Sequence, residues 1–268
     1  CSAVEVFRTN HEACSPCTVV IRSDDAFQGS KRGYGSSASA VVAVTGALYA
    51  AHHGALSQND VLRSALAAHR AAQDGMGSGT DVATSVVGDL VHWRPALFAG
   101  VHAEAVEACA VAWPEGLHMI AGYSGASAST QGHLQALKAR AQENETALVD
   151  ELRTLGQAAE HLIAAFRRAA VIEILEGVTG CHRVLDAWDK RHGFGIMTPA
   201  IQEMVRMAES KRVVAKVSGA GGGDSILAFS DDPSRLNSLV EQWTSAGYIP
   251  TPIHRHSQGV MMVEELPE

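Results

Sequence analysis

From Ser36 to Gly54 the chain reads SSASAVVAVTGALYAAHHG, small and apolar almost throughout and free of proline. That pattern predicts a largely buried helix rather than one with a polar outer face. Ser57 follows as an N-cap with Asp60 at the capping-box position, predicting a second helix to about Gln73. After the glycine-broken stretch DGMGSGT, the run DVATSVVG predicts a short helix starting on Asp81, and LVHW a strand. Residues 3–8 and 18–23, rich in Val, Ile and Thr, read as two strands joined by a polar turn, and residues 105–113 and 117–123 as two more around WPEG. Long helical patterns fill residues 130–191, with breaks expected near Gly156 and Gly177–Gly180. Thr198-Pro199 opens a helix to about Ser210 and Asp232-Pro233 another to about Ala246. RVVAKV and SILAFS predict strands on either side of a glycine loop, and QGVMMVEE a closing strand. Strand pairs mixed with helices make the fold class α+β. The composition shifts near Trp113-Pro114, which divides the chain into 1–113 and 114–268.

Composition narrows the classes of function. A chain of 268 residues with 46% hydrophobic and 19% charged residues has the make-up of a soluble globular protein. Its net charge is −8, and Lys and Arg form no stripe, so nucleic acid is not the expected partner. An anionic small molecule remains compatible, because backbone amides and helix ends bind phosphate locally. The apolar runs are too short or interrupted for a membrane span, and no basic start leads into an apolar leader, so a cytoplasmic location is expected. The five cysteines include one CxxC, Cys14 and Cys17, without the second pair or spaced histidines of a zinc site, and read as reduced thiols. The thirteen histidines show no pairing with carboxylates at ligand spacing and read as surface or cap residues.

Three glycine-rich segments carry the candidate chemistry. In KRGYGSSAS, glycines allow close approach of a ligand, and two serines sit where the helix begins. The first amides of a helix lack internal partners and carry the positive end of its dipole, so a phosphate there is both hydrogen-bonded and charge-stabilised. Ser36 serves equally as a simple helix cap. In GSGTDVAT, Asp81 reads in isolation as an N-cap. Beside a phosphate site, the same carboxylate can orient a hydroxyl and accept its proton. The third segment, KVSGAGGGD, sets bare main chain between two strands, with Lys216 as a nearby cation.

Together these segments resemble the GHMP kinase family. Residues 29–37, GSKRGYGSS, are similar to its phosphate loop, Pro-x-x-x-Gly-Leu-Gly-Ser-Ser, with Tyr34 in place of Leu and the proline missing. Lys216 to Gly223 match its third motif, Lys-x-Ser/Thr-Gly-Ala-Gly-Gly-Gly. The SGxDVA segment resembles the mevalonate-type branch, and AGYSGASAST at 121–130 the strand-to-helix joint of its phosphomevalonate members. The resemblance implies a two-domain fold, an N-terminal α+β nucleotide domain followed by a ferredoxin-like C-terminal domain. It implies ATP and Mg²⁺, a small-molecule acceptor from isoprenoid-precursor chemistry, and transfer of the γ-phosphoryl group. Carried over residue by residue, Asp81 and Lys216 become catalytic. Lys31, Gly33, Gly35, Ser36, Ser37, Ala38, Gly219, Ala220, Gly221, Gly222 and Gly223 hold the nucleotide. Ser127, Ser129 and Thr130 contact the acceptor, and Ser37 and Asp74 hold the metal.

One departure stands out. The family's first motif, Pro-Gly-Lys/Arg followed by Gly-Glu-His, is not found before Lys31. It would carry a basic residue near the transferred phosphate. Its loss points to a truncated or degenerate protein, and leaves core surface that a homodimer would cover. A non-catalytic binding module, and a kinase of homoserine or a sugar, therefore stand as the alternatives.

Overall fold

The computed structural model describes residues 2–11, 16–21, 35–73, 75, 77–94, 107–126, 130–219 and 221–263. They form two compact units. The first takes the described residues up to Val111 and those from Arg255 onward, and the second is Ala112–His254.

In the first unit, helices α1 (Ser2–Asn10), α2 (Ser36–His53), α3 (Gln58–Ala72) and α4 (Thr80–Val87) pack around one core. The antiparallel ribbon β1 (Leu90–Arg94) and β2 (Glu107–Val111) adjoins them, with Leu90 opposite Val111 and Arg94 opposite Glu107. Helix α2 buries one face, with Val42, Val44, Leu48 and Tyr49 inside, while Ala40, Ala43, Ala47 and Ala51 are exposed, so it is less buried than its composition predicts. Gly54 ends it in the left-handed region at φ 70°. On α3, Ser57 accepts from the Asp60 amide at 3.4 Å, and Val61, Leu62, Ala65, Leu66 and His69 form the inward stripe.

Residues 3–8 are helical rather than a strand. Ala3 and Phe7, one turn apart, are buried against the core, so the three-to-four spacing prevails over the β-branched valines between them. Residues 16–21 carry no strand pairing, and Val20 and Ile21 are exposed. The expected closing strand at the QGVMMVEE segment is also absent from its described part. There the chain passes main chain against main chain over the end of α4. Asp89 N donates to His256 O at 2.7 Å and Val260 N to Val86 O at 3.2 Å. A Cβ at Gly259 would lie 2.1 Å from Val86 O, and one at Gly88 2.4 Å from Gly259 N, so both positions exclude side chains.

The second unit is built on an antiparallel sheet in the order β4-β5-β3-β6, from β3 (His118–Tyr123), β4 (Val214–Val217), β5 (Ser225–Ser230) and β6 (Ile249–Pro252). With α9 (Pro233–Ser245) between β5 and β6, this is the ferredoxin-like arrangement. Alternation along β5 explains why both faces are apolar. Ile226 and Ala228 pack with α8 (Pro199–Ser210) and α9, while Leu227 and Phe229 meet the residues of α6 (Glu145–Arg167) and α7 (Val171–His192). Gly122 lets Trp243 lie directly on β3, since a Cβ there would be 2.5 Å from the indole. Residues 105–113 and 117–123 do contain strands, but β2 pairs with β1 and β3 with β5 and β6, so WPEG does not join a hairpin.

The helical region is divided differently from the expectation. Helix α5 (Thr130–Glu143) ends before Asn144, whose side chain caps α6 by accepting from Ala147 N at 3.1 Å. The next break lies at Ala169, with φ 52°. Gly156, Gly177 and Gly180 stay inside helices. Gly177 serves packing, since a Cβ would meet the Leu162 side chain at 3.0 Å, and its absence lets α6 and α7 approach. Among the described residues, no helix is long and apolar enough to cross a membrane.

Candidate active site

The first unit brings two helix N-termini together. Gly35 precedes α2 with φ 72°, and Gly79 precedes α4 with φ 74°, both left-handed and without a side-chain cap. A Cβ at Gly35 would lie 3.1 Å from Asp81 Cβ, and one turn on, Ser39 Oγ is 3.2 Å from Ser85 Oγ. Both pairs keep the same offset along the chain, so α2 and α4 run parallel with their positive ends side by side. Ser39 N is the first amide bonded back, to Gly35 O at 3.0 Å, which leaves those of Ser36, Ser37 and Ala38 ahead of any intrahelical partner. Ser36 is half-buried, Ser37 exposed and Ala38 buried. An anion seated here meets main-chain donors and two aligned dipoles.

Asp81 sits at the rim of this cradle with its side chain 40% exposed. Its Oδ1 accepts from Val82 N at 3.0 Å, and its Oδ2 lies 3.9 Å from His69 Nε2. The loop before α4 is fixed by Trp93 Nε1, which donates to Ser78 O at 2.9 Å, and by Leu66 and Trp93, which fill the space beside Gly79.

The glycine loop belongs to the second unit. Gly219, Gly221, Gly222 and Gly223 all have positive φ, and Asp224 follows at φ 52°. Glycine adopts such backbone without strain, which explains why SGAGGG is more than a hairpin turn. Gly222 N donates to Ile196 O at 2.8 Å, and Asp224 N to Ala126 O at 2.6 Å, which ties the loop to the segment leading to α5. Ile196 and His133 lie where Cβ atoms of Gly221 and Gly222 would be. Lys216 projects from the face of β4 opposite Ala215 and Val217, and its Nζ donates to Val217 O at 2.6 Å. Burial pushes its ammonium below the usual lysine range, offset in part by the Cys181 thiol, whose own value burial raises.

Of the expected site residues, Gly35, Ser36, Ser37, Ala38 and Asp81 come together in the first unit, and Lys216, Gly219, Gly221, Gly222 and Gly223 in the second. Thr130 opens α5. Lys31, Gly33, Asp74, Ser127, Ser129 and Ala220 lie outside the described residues. The reading of all histidines as surface or cap residues is corrected. His69 is 3% exposed and faces Asp81, and His192 is held by Glu151 at 2.5 Å. Periodicity along α3 puts position 69 on the buried stripe, which was the available signal. Among the described residues, no group of three or more His, Cys, Asp or Glu forms a metal cage. The hydroxyls of Ser36 and Ser37 and the Asp81 carboxylate are hard oxygen donors, of the kind Mg²⁺ takes when phosphate oxygens fill the rest of its shell.

Comparison with known proteins agrees with this architecture. The family description "GHMP kinases N terminal domain" matches residues 2–89, and "GHMP kinases C terminal" matches residues 162–249. The chain belongs to the GHMP kinase family. Within it, the chain is similar to a phosphomevalonate kinase of Saccharolobus solfataricus, 29% identical over 82% of this chain and 66% of that protein. A phosphomevalonate kinase of Streptomyces sp. (strain CL190) is 27% identical over 87% of this chain and 66% of its own length. The chain thus spans just under two thirds of these relatives. Among solved structures, a Listeria innocua protein superposes with TM-score 0.85 at 24% identity, covering 95% of this chain and 77% of that one. Streptococcus pneumoniae phosphomevalonate kinase in complex with phosphomevalonate and AMPPNP superposes with TM-score 0.70 at 23% identity, covering 86% and 70%.

Proposed function

We propose that this chain binds ATP with Mg²⁺ and transfers the γ-phosphoryl group to a small isoprenoid-precursor alcohol or acid, phosphomevalonate first and mevalonate second. The observation that carries the reading is the pairing of Asp81 with the uncapped N-terminus of α2. In this reading the amides from Gly35 to Ala38 and the hydroxyls of Ser36 and Ser37 take the phosphates, with Lys31 and Gly33 on the approach. Asp81 orients the attacking oxygen, the hydroxyl of mevalonate or a phosphate oxygen of phosphomevalonate, and receives its proton where it carries one. A phosphate and a carboxylate repel one another at close range, and Mg²⁺, which Ser37 with Asp74 would hold, would supply the charge that reconciles them. From the family resemblance, Gly219 to Gly223 are assigned to the nucleotide, and Ser127, Ser129 and Thr130 to the acceptor. Lys216 is the catalytic cation of this reading, its ammonium keeping two N–H donors besides the one given to Val217 O.

Similarity to two phosphomevalonate kinases, over just under two thirds of their length, supports the choice of acceptor. The test is incubation with Mg-ATP and phosphomevalonate, mevalonate, homoserine or a sugar, following ADP release. Release that depends on phosphomevalonate or mevalonate supports the reading, and no release above an acceptor-free control overturns it. A second reading, a nucleotide-binding module without turnover, draws on the packing of Ile196 and His133 against the glycine loop. ATP binding without ADP release would favour it.

A further inference from the structure

Asp189 lies on the last turn of α7 and is only 6% exposed, an acidic side chain in a place where an apolar one would be far less costly to bury. Its Oδ2 accepts from Met197 N at 2.7 Å, and its Oδ1 has no hydrogen-bond partner among the described residues. Ile196 O in turn accepts from Gly222 N at 2.8 Å. The Met197 N–H and the Ile196 C=O belong to one peptide group. Trans geometry points them in opposite directions, so this single plane carries Asp189 at one end and the glycine loop at the other. Between His192 and Pro199 the chain has no helix or strand, and Gly193 and Gly195 take φ 69° and 75°. Glycines on the approach leave the rotation of the following peptide open. A hydrogen bond to a carboxylate is of the stronger kind; it holds that rotation and polarises the peptide, so that its carbonyl accepts more strongly. Ile196 also abuts the loop directly, its Cγ2 lying 2.4 Å from where a Cβ of Gly221 would be.

We propose that Asp189 is a positioning residue for the glycine loop, setting through the Ile196–Met197 peptide where Gly221 and Gly222 stand. The inference rests on the assignment of that loop to the nucleotide made above. Asp189 touches no substrate in this role and passes no proton; it accepts one hydrogen bond. Without that bond the peptide turns, Ile196 O leaves Gly222 N, and the loop loses the place in which its main chain meets ATP. Gln202 supplies the contrast. Its Nε2 donates to Met197 O at 3.0 Å, so it holds the same segment by the next peptide, which does not face Gly222.

The experiment has two arms on the full chain. In the first, hydrogen exchange of the Gly222 amide is followed by NMR without nucleotide, against the Ala121 amide on the central strand β3 as reference. Asp189→Ala should cut the protection of Gly222 relative to Ala121 by roughly tenfold. Asp189→Asn keeps an acceptor oxygen and should stay within about threefold of the unsubstituted protein, as should Gln202→Ala. A Gly222 amide that is unaffected in Asp189→Ala, or that falls only in step with Ala121, overturns the proposal. An equal relative fall in Asp189→Asn or Gln202→Ala does so too. Should the alanine variant fail to fold, Asp189→Asn decides. Its neutral oxygen polarises the peptide less, so the Gly222 amide proton moves upfield, and an unmoved signal overturns the relay. In the second arm, calorimetry with Mg-ATP should show Kd raised roughly tenfold in Asp189→Ala and little changed in Asp189→Asn and Gln202→Ala. An unchanged Kd in Asp189→Ala overturns the positioning role. If the unsubstituted chain binds no ATP, the phosphotransferase reading fails by itself, and the amide arm reports separately on whether Asp189 places the loop.

Discussion

Asp81 owes its place to two residues that have no side chain. Gly79 turns the chain into α4, and Gly35 leaves room for the carboxylate at the head of α2. Replacing Asp81 with Asn keeps the shape and removes the proposed base, so on that proposal turnover should fall by about two orders of magnitude while ATP affinity stays near its original value. Titration calorimetry with ATP and an ADP-release assay separate the two. Gly35→Ala brings a left-handed alanine at φ 72° and a Cβ 3.1 Å from that of Asp81. Left-handed backbone costs on the order of 1 kcal/mol, which for a molecule of this size lowers the melting temperature by roughly 2–4 °C. ATP affinity should fall with it, since Asp81 must shift; a melting scan and calorimetry check both. At this scale the sequence was informative where chemistry shows as a local break. Asp81 stands where a helix restarts after glycines, and the glycine loop stands between two strands. His69 was not legible, because its relation to Asp81 arises only when α3 and α4 fold onto one core.

Elements are joined here by a few polar clasps and close glycine contacts. Glu151 on α6 receives Arg191 Nη1 at 2.9 Å, His192 Nε2 at 2.5 Å and Trp188 Nε1 at 3.0 Å, all from α7. Burial raises the Glu151 pKa, but these hydrogen bonds outweigh it and hold the carboxyl below the ordinary glutamate value. A depressed folded-state pKa means stabilisation that is full above about pH 4.5 and is lost as pH falls through the lower folded value. Denaturation of Glu151→Gln should therefore show a stability deficit at neutral pH that shrinks in acid. An equal deficit at both would count against the clasp. In the glycine loop, Gly221→Ala puts a Cβ 2.4 Å from Ile196 Cγ2 and 2.9 Å from Ile196 O at φ 70°. Backbone and side chain must both move, at a cost of about 2 kcal/mol measurable by urea denaturation. Helix starts were readable through Ser57, Thr198 and Asp232, whose side chains cap as expected. Helix breaks were not. Glycines inside α6 and α7 look like interruptions in sequence but serve as contacts, while the real breaks fall at Asn144 and Ala169.

At the scale of the molecule, α+β class and the family were legible, because a glycine motif between patterned strands survives as a local signal. The return of residues from Arg255 onward to the first unit was not, because Gly259 and Val260 bond to α4 through main chain rather than through a side-chain pattern. Gly259→Ala would drive a Cβ to 2.1 Å from Val86 O and should destabilise the first unit by on the order of 3 kcal/mol. Calorimetry should show one transition lowered, the one that the same substitution leaves alone belonging to Ala112–His254. That late clasp also sets an order of events during synthesis. The four helices of the first unit leave the ribosome early, yet the main chain that covers α4 emerges only after the whole second unit, a delay on the order of ten seconds. A nascent chain should thus become protease-resistant over Ala112–His254 before the helices of the first unit do, and chaperones that bind exposed apolar helices would find their substrate in those helices.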